Sequence, residues 1–196
     1  MATPAKLNLK VYQGSTFTQV LRWESSTKVY VPITNITNSA PMVVTAVAHG
    51  IPVGWRAKIT NAGGIVAVNT LDYNVVTGTT TNSVTFNQVN SVGFNAYTSG
   101  GILEYNQPVP VNNYIARMQI REKVTSTSPI YSMTTENGRI VFDNTYKTVT
   151  LSIPGATTTG FNFSTAVYAL EFESTVTGEI TTFIAGSITL VPEVVR

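Results

Sequence analysis

The sequence predicts an all-β protein, an antiparallel β-sandwich that carries an inserted small β-barrel-like module. Three observations predict it. Charged residues make up only 11% of the 196-residue chain, about half the globular average, whereas threonine, asparagine and valine are abundant, a mixture suited to pleated strands and tight turns. Apolar and polar residues alternate with a period of two along most of the chain. Short clusters of Gly, Pro, Asn and Asp interrupt that alternation.

Taken in order, Leu7, Leu9 and Val11 alternate with Asn8 and Lys10, and the Gln13-Gly14-Ser15 turn leads to Phe17, Leu21 and Trp23, which share a phase. Two antiparallel strands paired with each other are expected there. Between about Ser39 and Leu103 the glycines are closely spaced and the strands short, at Val43 to Val47, Arg56 to Thr60, Tyr73 to Val76 and Val84 to Phe86. Farther on, Tyr114, Ala116, Met118 and Ile120 point one way and Ile115, Arg117, Gln119 and Arg121 the other, so one face is core and one is wet. Ile130 to Thr134 runs to Asn137-Gly138, a pair that tolerates the positive φ of a hairpin turn, and then to Ile140 and Phe142. Val149, Leu151 and Ile153 form the next run. The stretch "PGATTTGF" has room for one helical turn. Tyr168, Leu170 and Phe172 then alternate against Glu171 and Glu173, and Ile180 to Leu190 supplies one or two closing strands around Gly186.

The change of texture sets the expected domains: residues 1–38 and 104–196 form one discontinuous sandwich, and residues 39–103 form the inserted module. Neither flank completes a core alone.

Composition also excludes chemistry. With no cysteine, there are no disulfides, thiolate nucleophiles or cysteine-ligated zinc sites, and no cofactor or metal is expected. The net charge of +2 comes from scattered lysines and arginines, with no basic stripe, so nucleic acid is not an expected partner. No window approaches the roughly 18 apolar residues of a membrane span, and "MATPAKLNLK" lacks the apolar run of a signal peptide, so no membrane partner and synthesis in the cytoplasm are expected.

Isolated polar residues offer little catalytic promise. His49 is the only histidine; a triad would need a positioned nucleophile and an acid, and the expectation is that His49-Gly50 and Pro52-Val53-Gly54 are turns, where glycine accepts positive φ. "NAGG" lacks the lysine and following helix of a phosphate loop. Asp72 and Asp143 sit in turns. Glu171 and Glu173 share one strand face and could be drawn as a glycosidase pair, but pairing with Arg117 and Arg121 across neighbouring strands is the expected arrangement. Trp23, Trp55 and the tyrosines could stack on sugars, although most aromatics fall on the inward phase. Trp55 and Arg56, just after a turn, are expected at the surface. With Arg117 and Arg121 they make up the candidate partner-binding surface.

The flanks, "LNLKVYQGSTFTQVLRW", "NNYIARMQIREKVTSTSPIYSMTTENGRIVFDNTYKTVTLSIPGATTTGF" and the closing "GSITLVPEVVR", resemble the N-terminal β-sandwich of bacteriophage upper-baseplate and tail-fibre adaptor proteins. That family repeats a QG turn, a Y-x-A-R-M-Q-I-R strand and a terminal G-x-(I/V)-x-(V/L)-x-P-E-V-x-R. The insert, "PMVVTAVAHGIPVGWRAKITNAGG" with "AVNTLDYNVV", "SVTF" and "AYTSGG", is similar to a small β module common in phage tail and virion proteins and labelled by likeness to the first catalytic cysteine half-domain of ubiquitin-activating enzymes. Without a cysteine the likeness is one of shape alone. Relatives commonly carry Gly-Asp where this chain has Gly54-Trp55, which suggests a surface of its own.

The resemblance implies a non-enzymatic structural protein of the virion, made in the host cytoplasm. It would be a tail, neck or baseplate adaptor that contacts other virion proteins, such as fibre subunits, and forms a homo-oligomer. A head-decoration or collar protein and a carbohydrate-binding module are the alternatives.

Overall fold

The computed structural model describes residues 4–194. The first three residues, and Val195 and Arg196 of the closing motif, lie outside the described residues. In chain order the strands are β1 (Ala5–Lys6), β2 (Leu9–Tyr12), β3 (Phe17–Arg22), β4 (Glu24–Pro32), β5 (Asn35–Ile36), β6 (Met42–Thr45), β7 (Arg56–Gly63), β8 (Asn74–Val75) and β9 (Gly78–Thr79). They continue with β10 (Ser83–Phe86), β11 (Ser99–Pro108), β12 (Tyr114–Arg121), β13 (Tyr131–Thr134), β14 (Ile140–Asp143), β15 (Thr148–Ile153), β16 (Thr165–Ser174) and β17 (Ile180–Val191). A single helical turn, α1 (Gly155–Thr159), stands where "PGATTTGF" predicted it. The all-β class is therefore as expected.

The chain divides into two compact units. A flanking unit takes the chain up to Leu21, Pro110–Asn144 and the chain from Thr148; a middle unit takes Arg22–Val109 and Thr145–Lys147. The middle unit is longer than the 39–103 expected. Its extra length includes β4 and β5 and the end of β11; β4 pairs with β11 through Ile102↔Pro32 to Asn106↔Lys28. Because β11 also pairs with β7, β4 belongs to the same sheet.

In the flanking unit a six-stranded sheet has β1 and β2 at one edge, then β17, β16, β12 and β13; a second sheet orders β14, β15 and β3. The alternation of β12 is realised as read: Ala116, Met118 and Ile120 are buried, while Ile115, Arg117 and Gln119 are exposed. From the smaller sheet Val149, Leu151, Ile153 and Ile140 are buried. Phe142 of that sheet meets Phe172 of the larger one edge-on at 5.4 Å, and Phe172 stacks on Phe183 at 4.6 Å. Such ring pairs contribute roughly 0.5–1.5 kcal/mol beyond the area they bury.

Three expectations about pairing are corrected. β2 and β3 do not pair with each other: β2 runs parallel to β17, and β3 joins the smaller sheet beside β15. The Gln13-Gly14-Ser15 turn carries the chain from one sheet to the other, braced by the Gln13 amide donating to the carbonyl of Phe161 at 2.8 Å and the Thr158 hydroxyl to that of Ser15 at 2.8 Å. The larger sheet is consequently mixed, since β1 is parallel to β17 as well. At the Asn137-Gly138 turn, where Gly138 has φ +69°, the chain again changes sheets, from β13 to β14. A period of two assigns a face to each residue and says nothing of the neighbouring strand or its direction.

The middle unit is two four-stranded sheets, β5-β6-β10-β9 and β4-β11-β7-β8, and every pair within them is antiparallel. Trp55, Phe86, Met42, Leu103, Val44 and Val84 lead their common core. The sheets do not close on themselves, so the expected barrel-like module is instead a second sandwich. The "NAGG" stretch ends β7 and serves packing: Gly64 has φ +75°, and a Cβ there would lie 2.2 Å from the carbonyl oxygen of Ala96. Asn69, in a short 3₁₀ turn at Val66–Thr70, completes the strand end by bonding both the N–H and the carbonyl of Ala62 at 2.9 Å.

Candidate interaction surfaces

The residues singled out by sequence fall into different settings. Trp55 is wholly buried, which corrects its expected place at the surface. It precedes β7 in the same phase as Ala57 and Ile59, both buried, so the alternation begins one residue before the strand. Its indole N–H donates to the Asn106 carbonyl at 2.8 Å. The Arg22 guanidinium lies 5.8 Å from the ring centroid and donates to the carbonyl of Gly54. A ring so enclosed has no face to offer a sugar, which removes the tryptophan on which a carbohydrate-binding site would have been built.

Arg56 does reach the surface, at half exposure, with its guanidinium 3.7 Å from Glu24 Oε1. Glu24 also pairs with Arg22 at 3.4 Å and accepts from the Asn106 amide at 3.0 Å. Burial pushes the Arg22 pKa below its ordinary value, although it stays a cation at neutral pH. Asn106 Oδ1 is buried without a hydrogen-bond partner. It belongs to a hollow of about 90 Å³ lined by Glu24, Lys28, Arg56, Tyr73 and Asn106, roomy enough for water to reach it.

Next to this group is a network the sequence did not disclose. The Tyr73 hydroxyl donates to Glu104 and accepts from the Lys28 ammonium, and Lys28 lies 3.2 Å from Glu104. Burial and Glu104 raise the Tyr73 pKa; the Tyr73 hydrogen bond lowers that of Glu104 and raises that of Lys28. A tyrosine recruited as a base or nucleophile needs a lowered pKa. These shifts run the other way and hold a neutral phenol between fixed charges. Only the strand register, which places Tyr30 opposite Glu104 and Lys28 opposite Asn106, could have shown the diagonal contact in advance.

His49 is buried. Its Nε2 lies 2.9 and 3.1 Å from the carbonyls of Thr80 and Ser83, and Nδ1 accepts from the N–H of Ile51 at 3.0 Å. These partners define the tautomer with hydrogen on Nε2 and leave both nitrogens engaged in holding the turn. Gly50 and Gly54 in that segment have φ +65° and +83°. Among the described residues no three His, Asp or Glu side chains gather into a metal-binding group, and no helix is long and apolar enough to cross a membrane.

Arg117 and Arg121 lie on the outward face of the six-stranded sheet. Arg117 sits opposite Glu171 and pairs with it at 2.8 Å and with Glu173 at 3.8 Å; the Glu171 hydrogen bond raises the arginine's pKa further. Arg121, expected to share those glutamates, sits opposite Val167 instead. It donates to Gln119 Oε1 at 2.6 and 3.2 Å and to the Ser126 carbonyl. Between the two arginines the face sinks into a hollow of about 570 Å³. Val167, Ala169 and Ala185, side chains too short to fill the space, line it between the longer Gln119, Glu171 and the two arginines.

No family model and no curated protein matches the chain. The likeness to phage modules therefore stands on the quoted sequence patterns.

Proposed function

We propose that this chain is a non-enzymatic structural protein of a bacteriophage particle. In this reading it is an adaptor of the tail, neck or baseplate that assembles as a homo-oligomer and links neighbouring virion proteins or fibres. The phage setting comes from the resemblance of the flanks and the insert to virion modules. The interaction role is carried by one observation: a solvent-facing hollow of about 570 Å³ on a broad sheet, lined by small apolar side chains together with Arg117, Arg121, Gln119 and Glu171. A volume in the range of roughly 300–1,000 Å³ suits a ligand or an inserted side chain.

The other polar groups support the same reading. His49, Tyr73, Glu104 and Glu24 are spent on bonds within the chain, as expected of rigid modules that present a surface. Open strands at the sheet edges, such as β13 and β14, are the kind of feature that assembly covers.

Mass spectrometry of purified particles, followed by antibody labelling in the electron microscope, tests the proposal. Peptides of this chain in stoichiometric amount, with label at the tail end, are expected. Absence from the particles would contradict it, and label spread over the head would move the protein to the decoration class.

A further inference from the structure

The outward face of the six-stranded sheet distributes its charges unevenly. Residues opposite one another in paired strands share a face, and the registers place Lys6 beside Ala185, Lys10 beside Thr189, and Arg121 beside Val167. At the other end Arg117 lies beside Glu171, and Ile115 beside Glu173. Both of these glutamates are held by Arg117. Lys6, Lys10 and Arg121 have no carboxylate partner among the described residues. Arg117 is thus neutralised, whereas Arg121 on the same strand keeps its charge.

The hollow spans both ends: the paired Arg117 and Glu171 line one side of it, and Arg121 with Val124 lines the other. Arg121 is fixed there by the Gln119 amide oxygen on one side and the Ser126 carbonyl on the other. Three of its N–H groups are used in this way and a guanidinium has five, so two remain for an incoming acceptor. Beside it, the 122–129 loop presents Val124, 84% exposed. The loop is held by the Ser126 N–H bonded to the Lys123 carbonyl at 3.0 Å and the Lys123 N–H to the Ser126 hydroxyl at 3.2 Å. An ordered, exposed valine next to small apolar side chains and an uncompensated arginine is the signature of a contact surface.

We infer that the hollow docks an acidic side chain of a partner protein. Its carboxylate bonds Arg121, and its aliphatic stem and apolar neighbours pack on Ala169, Ala185, Val167 and Val124. Charge complementarity selects this occupant: a basic side chain would meet the Arg121 guanidinium, which no carboxylate of the described residues pairs, and a purely apolar one would leave that guanidinium without an acceptor. The inference deepens the adaptor reading by naming the chemistry its partner must bring.

Titration of the isotope-labelled full chain, followed by amide NMR, tests it with two blocked peptides, acetyl-Leu-Glu-Leu-amide and its Leu-Gln-Leu counterpart. The glutamate peptide is expected to shift the resonances of Gln119, Arg121, Val167, Ala169 and Ala185, and to bind about tenfold more tightly than the glutamine peptide, the value of one charge-assisted hydrogen bond. Arg121→Gln should abolish the difference, and Ala169→Leu, which fills the hollow from the outward, half-buried side of its strand, should abolish binding while leaving the rest of the spectrum unchanged. Equal binding of the two peptides, shifts confined to other surfaces, or no shifts at all would overturn the inference. No particle enters the titration, so its result stands apart from whether the chain is found in virions.

Discussion

The Tyr168 hydroxyl donates a 2.7 Å hydrogen bond to the carbonyl of Leu7, 161 residues away in the chain. Leu7 lies between β1 and β2, and the same carbonyl passes so close to β17 that a Cβ at Gly186 would stand 2.1 Å from its oxygen. Besides its parallel pairing with β17, the N-terminal edge of the large sheet is therefore tied by one phenol and admitted by one absent side chain. Gly186→Ala is expected to destabilise the flanking unit by at least about 1–3 kcal/mol through overpacking, with faster hydrogen exchange at Leu9 to Tyr12. Unchanged exchange there would show that the edge does not depend on this approach.

Burial pushes the Tyr168 pKa up to about 12. Its neutral form is favoured by folding, so the stability it contributes is complete below the ordinary tyrosine pKa of about 10 and declines as pH rises toward 12. In an alkaline absorbance titration the chain should show a late-ionising tyrosine that disappears in Tyr168→Phe. Loss of an early-ionising tyrosine instead would argue that the ring is accessible.

Trp55 anchors the middle unit. Trp55→Ala should destabilise that unit by about 3–5 kcal/mol, and Trp55→Phe by less, since the ring volume is largely kept while the bond to the Asn106 carbonyl is lost. Both tryptophans of the chain, Trp23 and Trp55, belong to the middle unit, so denaturant unfolding followed by Trp23 fluorescence in these variants reads that unit alone. Near-wild-type stability of Trp55→Ala would be incompatible with the burial described.

The Lys28-Tyr73-Glu104 network predicts a pH signature with two limbs. Glu104 has a lowered pKa, so its contribution is present above the ordinary carboxylate value of about 4.3 and is lost as pH falls through the folded value. Lys28 and Tyr73 have raised pKa values, so theirs is present below about 10 and is lost as pH rises through the folded values. Water screens these partly exposed groups, and each limb should amount to no more than about 1 kcal/mol. Tyr73→Phe should flatten both limbs of the stability-against-pH curve; parallel curves for the two proteins would mean that the hydroxyl contributes nothing.

On the sheet face, Arg117 and Glu171 should couple by roughly 0.2–1 kcal/mol in a double-mutant cycle, diminishing in high salt. Substituting Arg121 in the same cycle should give no coupling to Glu171, because the two are not opposite each other.

What could be seen in the sequence was largely the assignment of faces. β12 and β16 alternate cleanly, since one side of each is core, and α1 announces itself through Pro154 and Gly155. Trp55 was also legible, had its phase with Ala57 and Ile59 been weighed above its nearness to a turn. The unit boundary at Arg22 was hidden because β4 is irregular: between Glu24 and Lys28 its pairing with β11 shifts register, which blurs the period of two. Partners were hidden for a deeper reason. Nothing local told β2 that its neighbour would be β17, or Arg121 that it would face Val167 and stand two rows away from Glu171.

The most direct test of the adaptor proposal is a side-chain-resolution cryo-EM reconstruction of the native particle. Density for this chain in repeated copies at the tail, neck or baseplate, with a neighbour's acidic residue against Arg121, is the predicted result. A particle whose density is fully accounted for without this chain would contradict the proposal.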